Sequence, residues 1–398
     1  SANSTGVLKV YAITTIFSKE ELKKMGFKYS IENYIDLDIK NLMKCDEDNY
    51  KEKLIKYICN SLDIENKNLV IHNGKLKGGY ISDVISITFI KNNIEHNCVI
   101  KLENNNESKL SIMAEKLGLY EREYYFYENI SKYVNIEIPI FYCLLKDNNL
   151  KNIGIILENM NKKNYEIGID LNISSIDISL KIVEKIAKLH SKFWNKDLKI
   201  VFPCLLKNDN ELFNPSWKNF VNENWDAFKI KWEFLLSADK ITIAENIIKN
   251  FDKIQSNLSK NNLTLTHGDV KSLNIFYDKD NNYEPYFIDW QYIANGKGTQ
   301  DLVFFLIESF DIEFINNYLS ILKLYYYKKI LEYKVENYSY EEYEKDFIYS
   351  ICYYPFFVGI WFGTTPDEDL IDKNFPFFYI QKLFNFISKN IDKDYVFN

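Results

Sequence analysis

Short runs in the first part of the chain alternate apolar and polar residues with a period of two. Val84-Ile85-Ser86-Ile87-Thr88-Phe89 and Asn97-Cys98-Val99-Ile100-Lys101 are the clearest, and Ile138-Pro139-Ile140-Phe141-Tyr142 and Gly154-Ile155-Ile156-Leu157-Glu158 read the same way. Such runs predict strands. Other stretches carry a helical period. Ser18-Lys-Glu-Glu21 is a capping-box pattern opening a short helix that ends near Gly26. Residues 48–62 place Leu54, Ile55, Ile58 and Leu62 on one side, and Tyr120, Glu123 and Tyr127 share a face further on. From Ile178 to Trp194, Val183, Ile186, Ala187 and His190 form an apolar stripe. A histidine in that setting is most simply a hydrogen-bonded core residue, placed to bond the backbone of a neighbouring loop.

The densest pattern runs from Leu263 to Asp289. Leu263 and Leu265 alternate with threonines, a polar loop follows, and Ile275-Phe276-Tyr277 resumes the apolar run. The chain then turns at Asp280-Asn281-Asn282 and returns as Tyr286-Phe287-Ile288 before Asp289. Strand, loop, short strand, turn and short strand are predicted. A tight turn leaves two strand ends side by side, so Asp269, Asn274 and Asp289 are expected near one another. Those three residue types suit phosphoryl transfer. A carboxylate can orient and deprotonate an attacking hydroxyl, and two further oxygen ligands can hold the magnesium that bridges nucleotide phosphates. Protein kinases use an Asp, an Asn five residues later and a second Asp on the next hairpin, which is the spacing here.

His267-Gly268-Asp269 with Asn274, then Ile288-Asp289-Trp290-Gln291, then Gly296-x-Gly298-x-x-Asp301-Leu302, together resemble the aminoglycoside phosphotransferase and choline kinase superfamily. The Asp-Trp-Gln ending and Leu189-His190-x-x-Phe193-Trp194 look most like its ecdysteroid kinase-like (CHK kinase-like) branch. Protein kinases carry Arg where Gly268 stands and Phe-Gly after Asp289, and choline kinases carry Glu where Gln291 stands. The resemblance implies an α+β, protein-kinase-like bilobal fold: residues 1–157 as a small antiparallel-sheet lobe, residues 158–398 as a larger, mainly helical lobe, and ATP between them. It implies Asp269 as the catalytic base or orienting group and Asn274 and Asp289 as Mg2+ ligands. Asp301, whose position at a helix start also suits an N-cap, would brace the catalytic loop.

Upstream, Gly78-Gly79 sits between two strand patterns. Glycines let a backbone turn sharply and bring its N–H groups to phosphate oxygens, although a hairpin turn would look the same. By the resemblance, Lys101 contacts the α- and β-phosphates and pairs with a helix glutamate. Glu123 is the choice and Glu115 the alternative. Glu158 to Met160 would be the hinge whose backbone binds adenine, with Leu157 and Met160 flanking the base.

Composition narrows the picture further. A chain of 398 residues suits two lobes, and 46% hydrophobic and 16% aromatic content supplies a large core. A net charge of −7 without a long basic run disfavours nucleic acid as partner. Six scattered cysteines form no CxxC and read as reduced thiols of a cytoplasmic protein, and Ser1–Lys9 has no signal-peptide pattern. The uncharged stretch Phe347–Pro366 is long enough to consider as a membrane span, but a proline, two glycines and hydroxylated residues predict a buried helix pair. The acceptor is expected to be a small hydroxylated molecule of aminoglycoside, choline or steroid type. Tryptophans in Pro215–Trp232 would wall its cleft unless they are core, and Asp367-Glu368-Asp369 would attract a cation unless it is a solvated turn. GTP in place of ATP, the oligomeric state, a nucleotide-binding scaffold without turnover and a protein serine/threonine kinase all stay open.

Overall fold

The structure is a computed structural model and describes residues 48–76, 82–103, 118–146, 150–210 and 216–398. The expected helix at Ser18–Gly26, the Gly78-Gly79 pair and Glu115 lie outside those residues. The chain forms two compact units. The first contains the described residues up to Lys132 together with Pro139–Lys163; the second contains Tyr133–Ile138 and Asn164–Asn398. The division thus falls after Lys163 rather than after Leu157. Residues 133–138 join the second unit because its groups hold them: Glu137 O accepts from Phe287 N–H at 3.0 Å, and Asn135 Nδ2 donates to Lys188 O at 3.2 Å.

In the first unit, helix α1 (Asp48–Leu62) precedes strands β1 (Leu69–Leu76), β2 (Ser82–Lys91) and β3 (Ile94–Glu103). Helix α2 (Leu119–Tyr125) follows and runs into a π-helical turn at Phe126–Ile130. Strands β4 (Phe141–Lys146) and β5 (Asn152–Glu158) complete the unit. The sheet is antiparallel throughout, in the order β1-β2-β3-β5-β4. Its alternation decides its faces. Ile85, Ile87 and Phe89 of β2 and Cys98, Ile100 and Leu102 of β3 join Leu54, Tyr57 and Ile58 of α1 in one core. Lys101, between Ile100 and Leu102, therefore points to the opposite face. β4 begins at Phe141, three residues after the apolar run starts, because Pro139 has no N–H to give a ladder.

The second unit holds the three-stranded sheet β6-β8-β9 (Tyr165–Ile167, Ile275–Asp278, Glu284–Phe287) and the two-stranded pair β7–β10 (Thr264–Thr266, Ala294–Gly296). Its helices are α3 (Ile176–Phe193), α4 (Leu198–Val201), α5 (Ser216–Lys231), α6 (Ala238–Lys249), α7 (Phe251–Asn257), α8 (Gly298–Ser309), α9 (Ile312–Glu332), α10 (Tyr340–Cys352), α11 (Tyr354–Thr364) and α12 (Phe375–Asn390). From Leu302 to Ile307 α8 is apolar on every side, and all six residues are buried. A helix of that kind must be enclosed, and α3, α10, α11 and α12 surround it. The stretch Tyr340–Thr364 is long and apolar enough to cross a membrane, but 72% of its most apolar window is buried inside the protein. The backbone breaks at Tyr353, so the stretch is two helices, the second opening with Pro355 in its first turn.

Candidate active site

In the first unit, Lys101 Nζ lies 2.9 Å from one carboxylate oxygen of Glu123 and 3.0 Å from the other. The side chains are 16% and 5% exposed. An acid this buried needs a cation or several donors, and the strand period and the α2 face bring the pair together. β3 does not stop at the lysine but continues to Glu103, whose carboxylate accepts from Tyr124 OH at 3.1 Å. Glu158 is buried, pairs with Lys163 at 2.5 Å and accepts from Ile140 N–H at 3.2 Å. Its own N–H donates to Ile140 O at 2.9 Å, and Asn159 N–H donates to Asn97 O at 2.8 Å. Two of the three hinge N–H groups are therefore used inside the unit, which narrows the expected adenine donor to Met160.

In the second unit the loop after β7 is held at both ends. β7 pairs antiparallel with β10, Thr266 opposite Ala294, and β8 pairs with β9, Ile275 opposite Phe287. Ile288 N–H donates to Asn274 O at 3.0 Å, which sets Asp289 beside Asn274. Asn274 Nδ2 donates to Asp269 O at 2.9 Å and to Asp269 Oδ2 at 2.8 Å. The three residues expected together are thus tied into one cluster. Asp289 is left-handed, with φ 61° and ψ 63°. A non-glycine residue held there marks a position the fold over-determines, as functional sites do. Gly268 has φ 87°, and a Cβ on it would lie 2.2 Å from Tyr292 O, so no larger residue fits.

His267 is a structural part of the loop. Its Nε2–H donates to Ile288 O at 2.8 Å, and its Nδ1 accepts from Asp269 N–H at 3.1 Å. That fixes a neutral tautomer, in keeping with burial pushing its pKa down. Trp290 packs edge-on against it at 4.5 Å, which accounts for the tryptophan after Asp289.

Asp301 is not an N-cap. Lys297 caps α8, and Asp301 lies in its first turn, fully buried. Its carboxylate accepts from His267 N–H at 2.9 Å, Gly268 N–H at 2.8 Å and His190 Nε2 at 2.7 Å. Burial raises its pKa, but His190, His267 and the Gly268 N–H together hold the carboxyl below its ordinary value. The brace role is what the geometry carries, because four residues into the helix the carboxylate faces the loop rather than the helix end. His190 reaches the loop through Asp301, not by bonding loop backbone itself. Its Nδ1 meets Tyr326 OH at 2.8 Å. A Cβ at Gly298 would fall 2.0 Å from that hydroxyl, so the Gly-x-Gly motif makes room for the His190–Tyr326 contact.

Asp269 is buried, which raises its carboxyl pKa. Lys271 opposes the shift at 3.5 Å, and Asp289 reinforces it. Burial pulls the Lys271 ammonium down, but Asp269 first and then Glu308, Tyr292 and Asp289 hold it above its ordinary value. Glu308 itself is pushed up by burial against the pull of Lys271 and Lys382. Sequence reasoning passed over Lys271 and Glu308. Lys271 was findable: it stands two residues after Asp269 on extended chain, hence on the same side. Glu308 was not, since only the course of α8 brings it near.

Magnesium fits what is present. Both Nδ2 bonds of Asn274 are spent on Asp269, which orients its Oδ1 for a cation. Among the described residues no group of three His, Cys, Asp or Glu could hold a metal alone. One carboxylate and one amide oxygen, completed by phosphate and water, is the way magnesium is usually held. The two tryptophans of α5 and Trp232 just after it are core. Trp217 stacks on Phe357 at 4.3 Å, and Trp232 Nε1 donates to Gly363 O at 2.8 Å. Asp367–Asp369 is a solvated turn with none of its residues buried.

A sequence profile described as the ecdysteroid kinase-like family matches residues 77–339. No curated protein matches. Among solved structures, an ethanolamine kinase of Plasmodium vivax is similar with TM-score 0.53 and 15% identity, over 94% of this chain and 95% of that one. A choline kinase of Cryptosporidium parvum Iowa II is similar with TM-score 0.50 and 13% identity, over 85% and 95%. A spectinomycin phosphotransferase, solved with ADP and spectinomycin, is similar with TM-score 0.50 and 15% identity, over 81% and 94%. These likenesses show the fold: α+β and protein-kinase-like.

Proposed function

The chain belongs to the ecdysteroid kinase-like family, and from that premise we propose that it is an ATP-dependent small-molecule kinase. It transfers the γ-phosphoryl group to a hydroxyl of a small metabolite or drug of aminoglycoside, choline or steroid type. The observation that carries this reading is the cluster in which Asn274 bonds Asp269, Ile288 N–H on Asn274 O sets Asp289 alongside, and Asp301 braces the loop from α8. Asp269 orients the acceptor hydroxyl and takes its proton. Burial raises its pKa, which makes the carboxylate a stronger base than a solvated aspartate. Asn274 and Asp289 hold magnesium, which supplies charge neutralisation to the nucleotide phosphates when bound. Lys101, set by Glu123, binds the α- and β-phosphates. The protein's work is positioning and charge stabilisation rather than covalent chemistry.

The test is magnesium-dependent ADP release against a panel of amino alcohols, aminoglycosides and hydroxylated sterols. Asp269→Asn is expected to lower turnover by about 10²–10⁴-fold, the usual share of a positioned general base, with the melting temperature unchanged. Equal turnover in wild type and variant refutes the assignment.

A further inference from the structure

The C-terminal end of α3 carries charge that the fold leaves unanswered. Between Ala187 and Phe202 the sequence has four lysines, Lys188, Lys192, Lys196 and Lys199, against one acid, Asp197, in a chain whose net charge is −7. Earlier in α3 the lysines are neutralised: Lys185 and Lys181 lie 2.5 and 3.8 Å from Glu284. Among the described residues, none of the four later lysines has a carboxylate within 4 Å. Lys192, Lys196 and Lys199 are exposed, and Lys188 lies one turn before Lys192 on the same side of the helix. Apolar side chains stand among these charges. The single turn α4 directs Leu198 inward and leaves Ile200 76% and Val201 55% exposed. The turn is anchored, because the buried Phe202 ring that follows it packs against Phe193 of α3 and against Tyr133, each at 6.2 Å. Tyr133 is 47% exposed, and Asn135, close behind it, donates to Lys188 O at 3.2 Å. Neighbouring exposed apolar side chains rimmed by polar ones mark a contact surface.

We propose that the end of α3 together with α4 is a docking surface for an anionic phospholipid membrane. The lysines meet the negative headgroups, their aliphatic stems lying along the interface. Ile200 and Val201 enter the boundary between headgroups and acyl chains, and the Tyr133 ring sits at headgroup level, apolar body inward and hydroxyl in water. A nucleic acid or an acidic peptide would answer the lysines but offers no apolar layer to the aliphatic tips, whereas a lipid surface answers both. The remaining negative charge of the chain is repelled by the same membrane, which orients the molecule with this end down. None of these residues belongs to the catalytic-loop cluster, so the surface does not depend on the kinase reading.

The test is flotation of the full chain with vesicles of phosphatidylcholine alone and of phosphatidylcholine mixed with phosphatidylserine, at about 0.15 M salt. The protein is expected to float with the phosphatidylserine vesicles only and to leave them as salt is raised. Lys192→Gln/Lys196→Gln/Lys199→Gln should weaken partitioning by about 10²-fold, at roughly fivefold per lysine. Ile200→Ser/Val201→Ser should weaken it by about 10–100-fold, the loss of two aliphatic side chains from the apolar layer. Both variants change exposed side chains, so their melting temperatures stay at the wild-type value. A wild type that binds neither vesicle, or both equally, overturns the proposal, and so does either variant if it partitions as wild type does. Binding to heparin that the lysine variant loses, without binding to vesicles, also overturns it and assigns the patch to a soluble polyanion.

Discussion

Asp301→Asn isolates the brace between α8 and the catalytic loop. The carboxylate receives three donors: His267 N–H and His190 Nε2 on Oδ2, and Gly268 N–H on Oδ1. An asparagine has the same volume, so no cavity opens. Its better orientation puts the amide oxygen where Oδ2 was, which keeps two donors satisfied. Its NH2 then faces Gly268 N–H, donor against donor. One orphaned buried N–H costs about 1–3 kcal/mol. The two surviving bonds lose their charge assistance, at roughly 0.5–1 kcal/mol each. The sum is about 2–5 kcal/mol, which for a unit of this size lowers the melting temperature by roughly 5–20 °C. Hydrogen exchange should localise the damage, with the Gly268 amide losing protection before the core of α3 or α8. Asp367→Asn, on the solvated turn, serves as the control. A melting temperature within about 1 °C of wild type, with Gly268 still protected, would refute the brace.

Other outcomes follow from the same geometry. Gly268→Ala forces a Cβ 2.2 Å from Tyr292 O at positive φ and should abolish turnover while α1 and the first-unit sheet stay folded by circular dichroism and proteolysis; an active variant would show that the loop can shift. Glu123→Gln leaves Lys101 its hydrogen bond but not its counter-charge, and ATP affinity should fall by roughly tenfold, about 1.4 kcal/mol, in a nucleotide titration; unchanged affinity would detach the pair from phosphate binding. Trp217→Ala removes a buried ring stacked on Phe357 and should cost about 3–5 kcal/mol in denaturant melts without moving nucleotide affinity. His267 has a lowered folded-state pKa, so its stability contribution is present above the unfolded pKa of about 6.5 and is lost as pH falls below it; melts at pH 7.5 and 5.5 should show the drop, and a flatter fall in His267→Gln would tie it to this ring.

Local pattern was enough for most of the parts. The period-two runs located β2, β3 and β5 and turned Lys101 away from the core, because alternation alone sets a strand's faces. Helical spacing put Glu123 on the inward side of α2, and the hairpin between β8 and β9 brought Asn274 to Asp289. What failed were readings that depend on an element's end or on a distant partner. Of the two roles open to Asp301, cap and brace, only the brace holds, because α8 begins three residues earlier and the carboxylate faces the loop. His190 was read as a core residue bonding loop backbone, whereas its partners, Asp301 and Tyr326, lie 111 and 136 residues away. Helix-spaced tryptophans are core more often than a substrate wall, and Phe357 against Trp217 and Gly363 against Trp232 make them core here.

By itself, then, the sequence determined which candidate groups come together: which carboxylates and amide in the loop and which glutamate beside the strand lysine, at spacings that a hairpin and a strand period translate directly into neighbours. Tertiary structure decided how that chemistry is held and charged. Glu308 and Ser309 gain their relation to the loop only because α8 runs alongside it, with Asp301 meeting the loop near its start and Ser309 meeting it at Ser272. The raised pKa of Asp269 likewise comes from enclosure, and the lowered pKa of Asp301 from His190, His267 and the Gly268 N–H, all far away in the chain. Desolvation and long-range hydrogen bonds are properties of the packed state, and no local pattern of residues encodes them.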